Sequence, residues 1–328
     1  MASLPKRGPS LAAVALLLAL GASASATGPF YLGLNYGNKP PTDPLYLDNQ
    51  FDLFYPNGVC PVMQGCRPSS NPVVVLLHGG NTNNPLVGPG ALSPLGQLLL
   101  TKGFVVVVPS FHEVDYDLGE SYLSATQDIA RLIQYVRFNR VELSIDPARV
   151  FCFGHSSGAF QAYHLGLNAD FAQPAALDPL EHESSRPDFL IPWGGATDWG
   201  CFDYANPATN PIISFLIFGA TSMSEVSQDE IMLASAAYWL QNPDLYDRTT
   251  TPPMCLVYNL EDQGECGSIL NVHDGYFGTL MLMLLGRACG GPLLDQPTCT
   301  ESVLLDALLH SDVVNAQIAD WMVARAWP

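Results

Sequence analysis

The chain has 328 residues, of which 48% are hydrophobic and 13% charged. That apolar content excludes a disordered or collagen-like chain and is enough for one large core. The formal net charge of -18, from 31 acidic and 13 basic residues, disfavours binding to nucleic acid or to an anionic membrane surface.

The first 26 residues have the layout of a secretory signal peptide. Lys6 and Arg7 precede an apolar run over 11–20, and small residues at 22–26 offer cleavage sites. This run is too short to span a bilayer, and no later run reaches the roughly 18 residues that a membrane helix needs. We therefore predict a protein secreted to the extracellular space or the periplasm, without stable membrane insertion.

Strands and helices are predicted to alternate along the rest of the chain. Strands are predicted at 30–37, 50–56, 71–80, 104–109, 149–155, 188–195, 252–259 and 302–309. Helices are predicted at 92–103, 121–140, 157–167, 222–241, 276–288 and 312–327. This alternation predicts one α/β domain over 27–328, with a mostly parallel central sheet and helices on both faces. The segment 196–250, rich in Pro, Asn and aromatic residues, is a candidate for a small cap over the carboxyl edge of the sheet.

Eight cysteines fit an oxidising compartment. Their spacing suggests the pairs Cys60–Cys66, Cys289–Cys299 and Cys201–Cys266, although sequence alone proves no connectivity. Cys152 and Cys255 lie in apolar strand-like runs and are predicted to be free buried thiols. Because no CxxC pair or matching histidine spacing occurs, we expect neither a metal nor a cofactor.

The stretch Gly154-His155-Ser156-Ser157-Gly158 follows a predicted strand and opens a predicted helix. A G-x-S-x-G motif in that context is typical of a nucleophile elbow, a sharp turn that exposes a reactive serine. The strand and helix backbones nearly touch in such a turn, which explains the two glycines. Ser156 is the predicted nucleophile, and the backbone N–H of Ser157 a donor to the oxyanion. The alternative is a Gly-Ser turn in which the serine caps the helix.

A serine nucleophile needs a histidine to accept its proton and a carboxylate to orient that histidine. Asp262 follows the strand predicted at 252–259, and His310 follows the one predicted at 302–309. They are the predicted acid and base, in the order Ser, acid, His. Other candidates remain open: His273 for the base, and Glu261, Asp274 and Asp198 for the acid. His155 and His164 are predicted to have packing or hydrogen-bonding roles.

The stretch "HGGN" at 78–81 directly follows a buried strand. Glycines there allow the backbone to come close to a substrate carbonyl, so Gly80 and Asn81 are the further candidates for an oxyanion hole. A simple tight turn is the alternative.

Together these motifs resemble those of the bacterial esterase/lipase group of the α/β-hydrolase superfamily, relatives of hormone-sensitive lipase and of feruloyl-esterase-like enzymes. The resemblance is carried by "NPVVVLLHGG", "LLLTKGFVVVVPSF" and "LSIDPARVFCFGHSSGAFQA". It implies an α/β-hydrolase fold with Ser156, Asp262 and His310 as the catalytic triad. Asn81 stands where the group's usual HGGG loop has its last glycine.

The predicted function is that of a secreted serine hydrolase that cleaves carboxylic esters through an acyl-enzyme, without a cofactor. Its substrate would be a small-molecule or a polymeric ester. A polyester-degrading hydrolase and a serine peptidase of the same fold are alternatives, and a non-catalytic binding protein with a hydrolase fold is another. Three aromatic residues, Trp193, Trp199 and Phe202, are candidates either for an acyl pocket or for core packing.

Overall fold

The protein is described here from a computed structural model. The structure describes residues 27–37, 49–59, 62, 70–79, 92–111, 122–202, 214, 217–242, 250–258, 277, 280–281, 284, 303–306 and 311–327. The predicted signal peptide over 1–26 lies outside these residues.

The described strands form one eight-stranded sheet. They are β1 (Thr27–Asn35), β2 (Gln50–Pro56), β3 (Asn71–Leu77), β4 (Val105–Pro109), β5 (Ile145–His155), β6 (Phe189–Trp193), β7 (Cys255–Tyr258) and β8 (Val303–Asp306). Their order across the sheet is β1-β2-β4-β3-β5-β6-β7-β8. The pairs β1–β2 and β2–β4 are antiparallel, and the remaining pairs are parallel.

The described helices are α1 (Pro94–Thr101), α2 (Tyr122–Phe138), α3 (Ser157–Leu167), α4 (Gln228–Ala234), α5 (Ala236–Gln241) and α6 (Ser311–Ala326). Local sequence explains several of their ends. The side chain of Ser93 accepts a hydrogen bond from the N–H of Gly96 at the start of α1. Pro94, the first residue of this helix, has no N–H that would need an acceptor. Ser227 and Glu230 form a capping box at the start of α4.

Both faces of the sheet are covered by helices. Along β3, Val73 and Val75 belong to a core cluster that includes residues of α2 and α3. Val74, between them, belongs to a second cluster that includes residues of α1 and α6. Such alternation is what a strand buried on both faces produces, since successive side chains point to opposite sides. The predicted fold is therefore confirmed.

The prediction of one continuous helix over 222–241 is wrong. A 3-10 turn at Met223–Glu225 precedes α4, and α4 and α5 are separated at Ser235, which has an extended backbone. The hydroxyl of Ser235 donates to the carbonyl of Ile231 and accepts a hydrogen bond from the N–H of Trp199. That second partner lies 36 residues away, so tertiary contact overrides the local helical pattern.

The segment proposed as a cap packs on α3 in its described part. The ring of Trp199 meets that of Phe160 edge-on, with centroids 5.5 Å apart. Trp199 and Phe202 are 3% and 5% exposed and belong to the core cluster on the α3 face. These two aromatic residues therefore have the core-packing role. The cap itself stays a prediction.

The described cysteines agree with their predicted states. Cys152 and Cys255 are free and buried, and burial raises the pKa of the Cys255 thiol to about 12. Cys201 is disulfide-bonded. The other five cysteines, 60, 66, 266, 289 and 299, lie outside the described residues, so the predicted pairings stay predictions.

Neither a membrane-spanning helix nor a metal-binding cluster occurs among the described residues. No helix in this part of the chain is both long enough and apolar enough to cross a membrane. No group of three or more His, Cys, Asp or Glu side chains is arranged there to hold a metal ion.

Candidate active site

Ser156 occupies a strained turn between β5 and α3. The strand ends at His155 and the helix begins at Ser157, which leaves a single residue to reverse the chain. Ser156 has φ 54° and ψ -114°, a left-handed backbone that costs a residue with a side chain about 1–3 kcal/mol. Its side chain makes no capping hydrogen bond to α3, so the helix-capping alternative for this serine is wrong.

The glycines around Ser156 are required by close backbone contacts. A Cβ atom built on Gly154 would collide with the carbonyl oxygen of Gly158, and one on Gly158 would lie 2.6 Å from the carbonyl oxygen of His78. The backbones of β5, α3 and the end of β3 therefore meet at this turn. The predicted reason for the two glycines is confirmed.

Backbone hydrogen bonds fix the turn to the neighbouring strand. The N–H of Ser156 donates to the carbonyl of Trp193 over 3.0 Å, and its carbonyl accepts from the N–H of Ala159 over 3.0 Å. Gly194, the next residue after β6, donates its N–H to the carbonyl of Val257 over 2.8 Å. The strained serine is thus connected through the end of β6 to the end of β7.

The backbone of Gly79 runs beside Ser156. A Cβ atom built on Gly79 would lie 3.0 Å from the Cβ of Ser156 and 2.9 Å from the carbonyl oxygen of His155. This approach agrees with the expected position of the "HGGN" stretch. The predicted oxyanion donors Gly80 and Asn81 lie outside the described residues. Gly79 belongs to the stretch whose glycines were expected to come close, but it was not among the residues named as donors.

His78, at the start of the same stretch, is held in place by an aromatic neighbour. Its ring stacks on that of Phe111, with centroids 4.6 Å and planes 15° apart. Its Nδ1 lies 3.3 Å from the carbonyl oxygen of Gly79. Burial lowers the pKa of His78 below its usual value, so the ring is neutral at pH 7 and can pack as an aromatic group.

Both ring nitrogens of His164 in α3 are engaged in hydrogen bonds. Nε2 lies 3.0 Å from the carbonyl oxygen of Ala234, and Nδ1 lies 2.9 Å from the side-chain nitrogen of Asn168. Because a carbonyl can only accept, Nε2 carries the proton and Nδ1 accepts from Asn168. Burial lowers the pKa of His164 to about 4. The hydrogen-bonding role predicted for this histidine is confirmed.

Asp198, a minor candidate for the acid, has the contacts of a helix cap. Its carboxylate accepts a hydrogen bond of 3.0 Å from the N–H of Gly200, at the start of the 3-10 turn Trp199–Cys201. Burial raises the pKa of this carboxyl.

One row of paired residues crosses the carboxyl ends of four strands. His155 of β5 pairs with Trp193 of β6, which pairs with Val257 of β7, which pairs with Leu305 of β8. Ser156 therefore comes directly after this row, as Tyr258 and Asp306, the last residues of β7 and β8, also do. Asp262 and His310, and the alternatives Glu261, His273 and Asp274, lie outside the described residues.

A cleft of about 550 Å³ lies elsewhere on the molecule. Its lining includes Ala148 in the first part of β5, Asp188 just before β6 and Pro253 just before β7. These residues belong to the amino edge of the sheet. The cleft is therefore on the opposite edge from Ser156.

The strand order and the strained serine between β5 and α3 define an α/β hydrolase. The BD-FAE family model matches residues 63–264, more than half of the chain. The chain belongs to the BD-FAE family. This membership places it among the carboxylic-ester hydrolases, as the sequence motifs predicted.

Solved structures of bacterial hydrolases have the same fold. A truncated carbohydrate esterase from gut microbiota is 16% identical, with a TM-score of 0.65 over 94% of this chain and 100% of its own. An acetyl ester-xyloside bifunctional hydrolase from Caldicellulosiruptor lactoaceticus is 15% identical, with a TM-score of 0.64 over 93% and 98%. Esterase 2 of Thermogutta terrifontis, phosphoramylated by tabun, is 15% identical, with a TM-score of 0.56 over 91% and 96%. None of the curated proteins compared with the sequence matches it significantly.

Proposed function

We propose that this ester hydrolase works through a Ser-Asp-His triad and an acyl-enzyme, with Ser156 as the nucleophile. The observation that carries the proposal is the left-handed backbone of Ser156 between β5 and α3. The hydroxyl of this strained serine does not cap α3, so helix capping does not account for the strain. In α/β hydrolases the same strained turn exposes the nucleophilic serine at the carboxyl edge of the sheet.

The reaction has two halves. In the first, the hydroxyl oxygen of Ser156 attacks the ester carbonyl while His310 accepts the serine proton. His310 then gives this proton to the leaving alcohol, and an acyl-serine ester remains. In the second half, water attacks this ester while His310 accepts a proton from the water. The bond between the acyl carbon and the oxygen of Ser156 then breaks, His310 returns the proton to that oxygen, and the carboxylic acid leaves. Asp262 orients the imidazole throughout.

Backbone N–H groups would stabilise the negative charge on the carbonyl oxygen. Ser157 is the first residue of α3, and the N-terminus of a helix favours negative charge. Gly80 and Asn81 would supply N–H groups from the other side. The position of Gly79, whose added Cβ would lie 3.0 Å from the Cβ of Ser156, supports this part of the proposal.

The positions of the acid and the base rest on the row of paired residues at the carboxyl edge. Tyr258, which ends β7, pairs with Asp306, which ends β8. Asp262 and His310 each follow the end of their strand by four residues in the sequence. Carboxyl ends of parallel strands meet at one edge of a sheet, so both side chains are expected at the edge where Ser156 lies.

The proposed substrate is an ester of a carboxylic acid carried by a small molecule or a polymer outside the cell. An extracellular substrate is proposed because a signal peptide is predicted for this chain. Among the solved structures of the same fold, one is a carbohydrate esterase and another an acetyl ester-xyloside bifunctional hydrolase. Short acyl esters of saccharides are therefore the first natural substrates to test.

Hydrolysis of p-nitrophenyl acetate and butyrate tests the proposal. Ser156→Ala should lower kcat/KM by at least about 10³-fold, since it removes the nucleophile. Ser157→Ala, the matched control, keeps its backbone N–H and should stay within about fivefold of the unchanged protein. Full activity of Ser156→Ala would contradict the mechanism, and an inactive unchanged protein would favour the non-catalytic alternative.

The pH profile and two further substitutions test the base. A neutral His310 is needed to accept a proton, so activity should fall below about pH 6.5. His310→Ala should be as inactive as Ser156→Ala, whereas His273→Ala should retain activity. The reverse result would assign the base to His273.

A further inference from the structure

Two buried tyrosine hydroxyls form a chain next to Ser156. The hydroxyl oxygens of Tyr163 in α3 and Tyr258 at the end of β7 are 2.8 Å apart. The hydroxyl of Tyr258 also lies 2.8 Å from the carbonyl oxygen of Gly195, and both tyrosines are fully buried. Because a carbonyl can only accept, Tyr258 donates its one proton to Gly195, and Tyr163 donates to Tyr258.

Gly195, where this chain ends, packs against the serine turn. A Cβ atom built on Gly195 would lie 3.1 Å from the carbonyl oxygen of Ser156 and 2.9 Å from the Cβ of Ala159. The two preceding residues form backbone hydrogen bonds to the serine turn and to β7. The carbonyl of Trp193 accepts from the N–H of Ser156, and the N–H of Gly194 donates to the carbonyl of Val257. Residues 193–195 thus contact the serine turn on one side and the end of β7 on the other.

We infer that Tyr258 and Tyr163 are positioning residues, which fix the end of β7 relative to Ser156. This inference rests on the proposed function, in which Asp262 follows Tyr258 by four residues in the sequence. Two phenylalanines would fill nearly the same volume without buried polar atoms, which are costly unless paired. The hydroxyl chain provides directional contacts between α3, β7 and the 193–195 segment, where small displacements of reacting groups have large effects on rate.

Removing the hydroxyls one at a time should affect turnover in a set order. Tyr258→Phe deletes the proton donated to Gly195 and leaves Tyr163 without its acceptor. We expect it to lower kcat for p-nitrophenyl butyrate by about tenfold with KM within about twofold, because alignment and not substrate binding changes. Tyr163→Phe leaves the bond from Tyr258 to Gly195 and should lower kcat by about threefold. The double variant should be no slower than Tyr258→Phe, since the chain is already broken.

Tyr55→Phe is the matched control. Tyr55 in β2 is fully buried, and its hydroxyl donates to the carbonyl of Leu143 over 2.9 Å. This bond resembles that of Tyr258 in chemistry and length but lies at the amino edge of the sheet, close to the start of β5. Thermal unfolding should show similar losses for Tyr55→Phe and Tyr258→Phe, whereas kcat should fall only for Tyr258→Phe.

The outcomes separate this inference from the proposed function. If Ser156→Ala is inactive and Tyr258→Phe keeps the kcat of Tyr55→Phe, the positioning role is overturned and the triad stands. If Ser156→Ala retains activity, both proposals fall. Should Tyr258→Phe not fold, Tyr163→Phe decides, and a kcat equal to that of Tyr55→Phe would overturn the positioning role.

Discussion

The two edges of the central sheet are built by different interactions. At the carboxyl edge, Ser156 has a left-handed backbone and is held by glycine contacts and by hydrogen bonds between uncharged groups. At the amino edge, arginines bind carboxylates and backbone carbonyls. Arg137 donates to Asp188 and to the carbonyls of Pro147 and Ser184.

This difference separates the neutral contacts around Ser156 from the charged contacts at the amino edge. A strained residue persists only where its surroundings over-determine it, and such residues cluster at functional sites. The ion pairs and hydrogen bonds of these arginines tie the first residues of the strands to the segments that precede them. Arg149 in β5, for example, binds both Asp146 and the carbonyl of Ser70, just before β3. Substitutions at the carboxyl edge should therefore change activity first, and those at the amino edge should change stability first.

The largest combined effect on stability and activity is expected from Gly154→Ala. The added Cβ would collide with the carbonyl oxygen of Gly158, and backbone cannot move aside as a flexible side chain can. We expect a loss of more than about 3 kcal/mol in the free energy of unfolding and of more than about 100-fold in kcat/KM. Chemical denaturation and ester hydrolysis measure the two.

Gly200→Ala is the control for the added methyl group. Its new Cβ would lie 3.3 Å from a carboxylate oxygen of Asp198. Because this atom belongs to a side chain that can move by a few tenths of an ångström, both quantities should change little. Normal activity of Gly154→Ala would show that the contact between β5 and α3 is not needed.

Arg137→Met tests the amino edge. Arg137 is 5% exposed, and burial raises the pKa of its partner Asp188 while the arginine opposes that rise. Loss of the guanidinium leaves Asp188 without its ion-pair partner, although the N–H of Val150 still donates to this carboxylate. The bound carbonyls lose their donor as well, and together these losses should cost about 3–5 kcal/mol in the free energy of unfolding. The kcat measured on the folded enzyme should be unchanged.

Arg140→Met is the comparison within the same edge. Arg140 pairs with Glu183 over 3.2 Å with 45% of its side chain exposed, so its loss should cost about 1 kcal/mol or less. A drop in kcat for Arg137→Met at full folding would contradict the division of roles between the edges.

Between pH 6.5 and 4, the free energy of unfolding should fall as the pH drops, because of His164. The pKa of this histidine is about 4 in the folded chain, below the usual 6.5 of an unfolded one, so the unfolded chain binds more protons in that range. Its contribution is therefore complete above pH 6.5 and falls as the pH drops toward 4, by up to about 3 kcal/mol. Denaturation midpoints measured across this range should show the decline.

His164→Gln removes this titration and keeps a side-chain N–H that can reach the carbonyl of Ala234. The decline of the free energy of unfolding below pH 6.5 should be smaller in this variant by the contribution of His164, up to about 3 kcal/mol. An equal decline in both proteins would mean that His164 is not the group responsible. The comparison also separates acid unfolding from the loss of activity expected from protonation of His310.

The smallest expected effect concerns the strain itself. Ser156→Gly should be more stable than Ser156→Ala by about 1 kcal/mol, because glycine adopts a left-handed backbone without the penalty of a side chain but loses more chain entropy. Both variants should be inactive. Thermal unfolding compares them, and equal or greater stability of the alanine variant would contradict strain at this position.

Ser144 provides the matching position at the other edge. It also has a left-handed backbone, with φ 55°, and lies directly before β5. Ser144→Gly should gain stability over Ser144→Ala in the same way, but both variants should keep full activity.

The sequence predicted what depends on local patterns. Continuous apolar runs such as 71–77 predicted strands buried on both faces, and the spacing of Gly154 and Gly158 predicted a tight turn at Ser156. Contacts between distant residues could not be read in this way. The break at Ser235 depends on Trp199, 36 residues away, and the bond between Tyr163 and Tyr258 spans 95 residues.

Covalent labelling tests the role of Ser156 most directly. A fluorophosphonate reacts with an activated serine and leaves a stable adduct that peptide mass spectrometry can locate. We predict one adduct per chain, on the peptide that contains Ser156, with hydrolysis of p-nitrophenyl butyrate lost in proportion to labelling. Hydrolysis that persists after full labelling, or an adduct on another serine that tracks the loss of activity, would contradict the proposed mechanism.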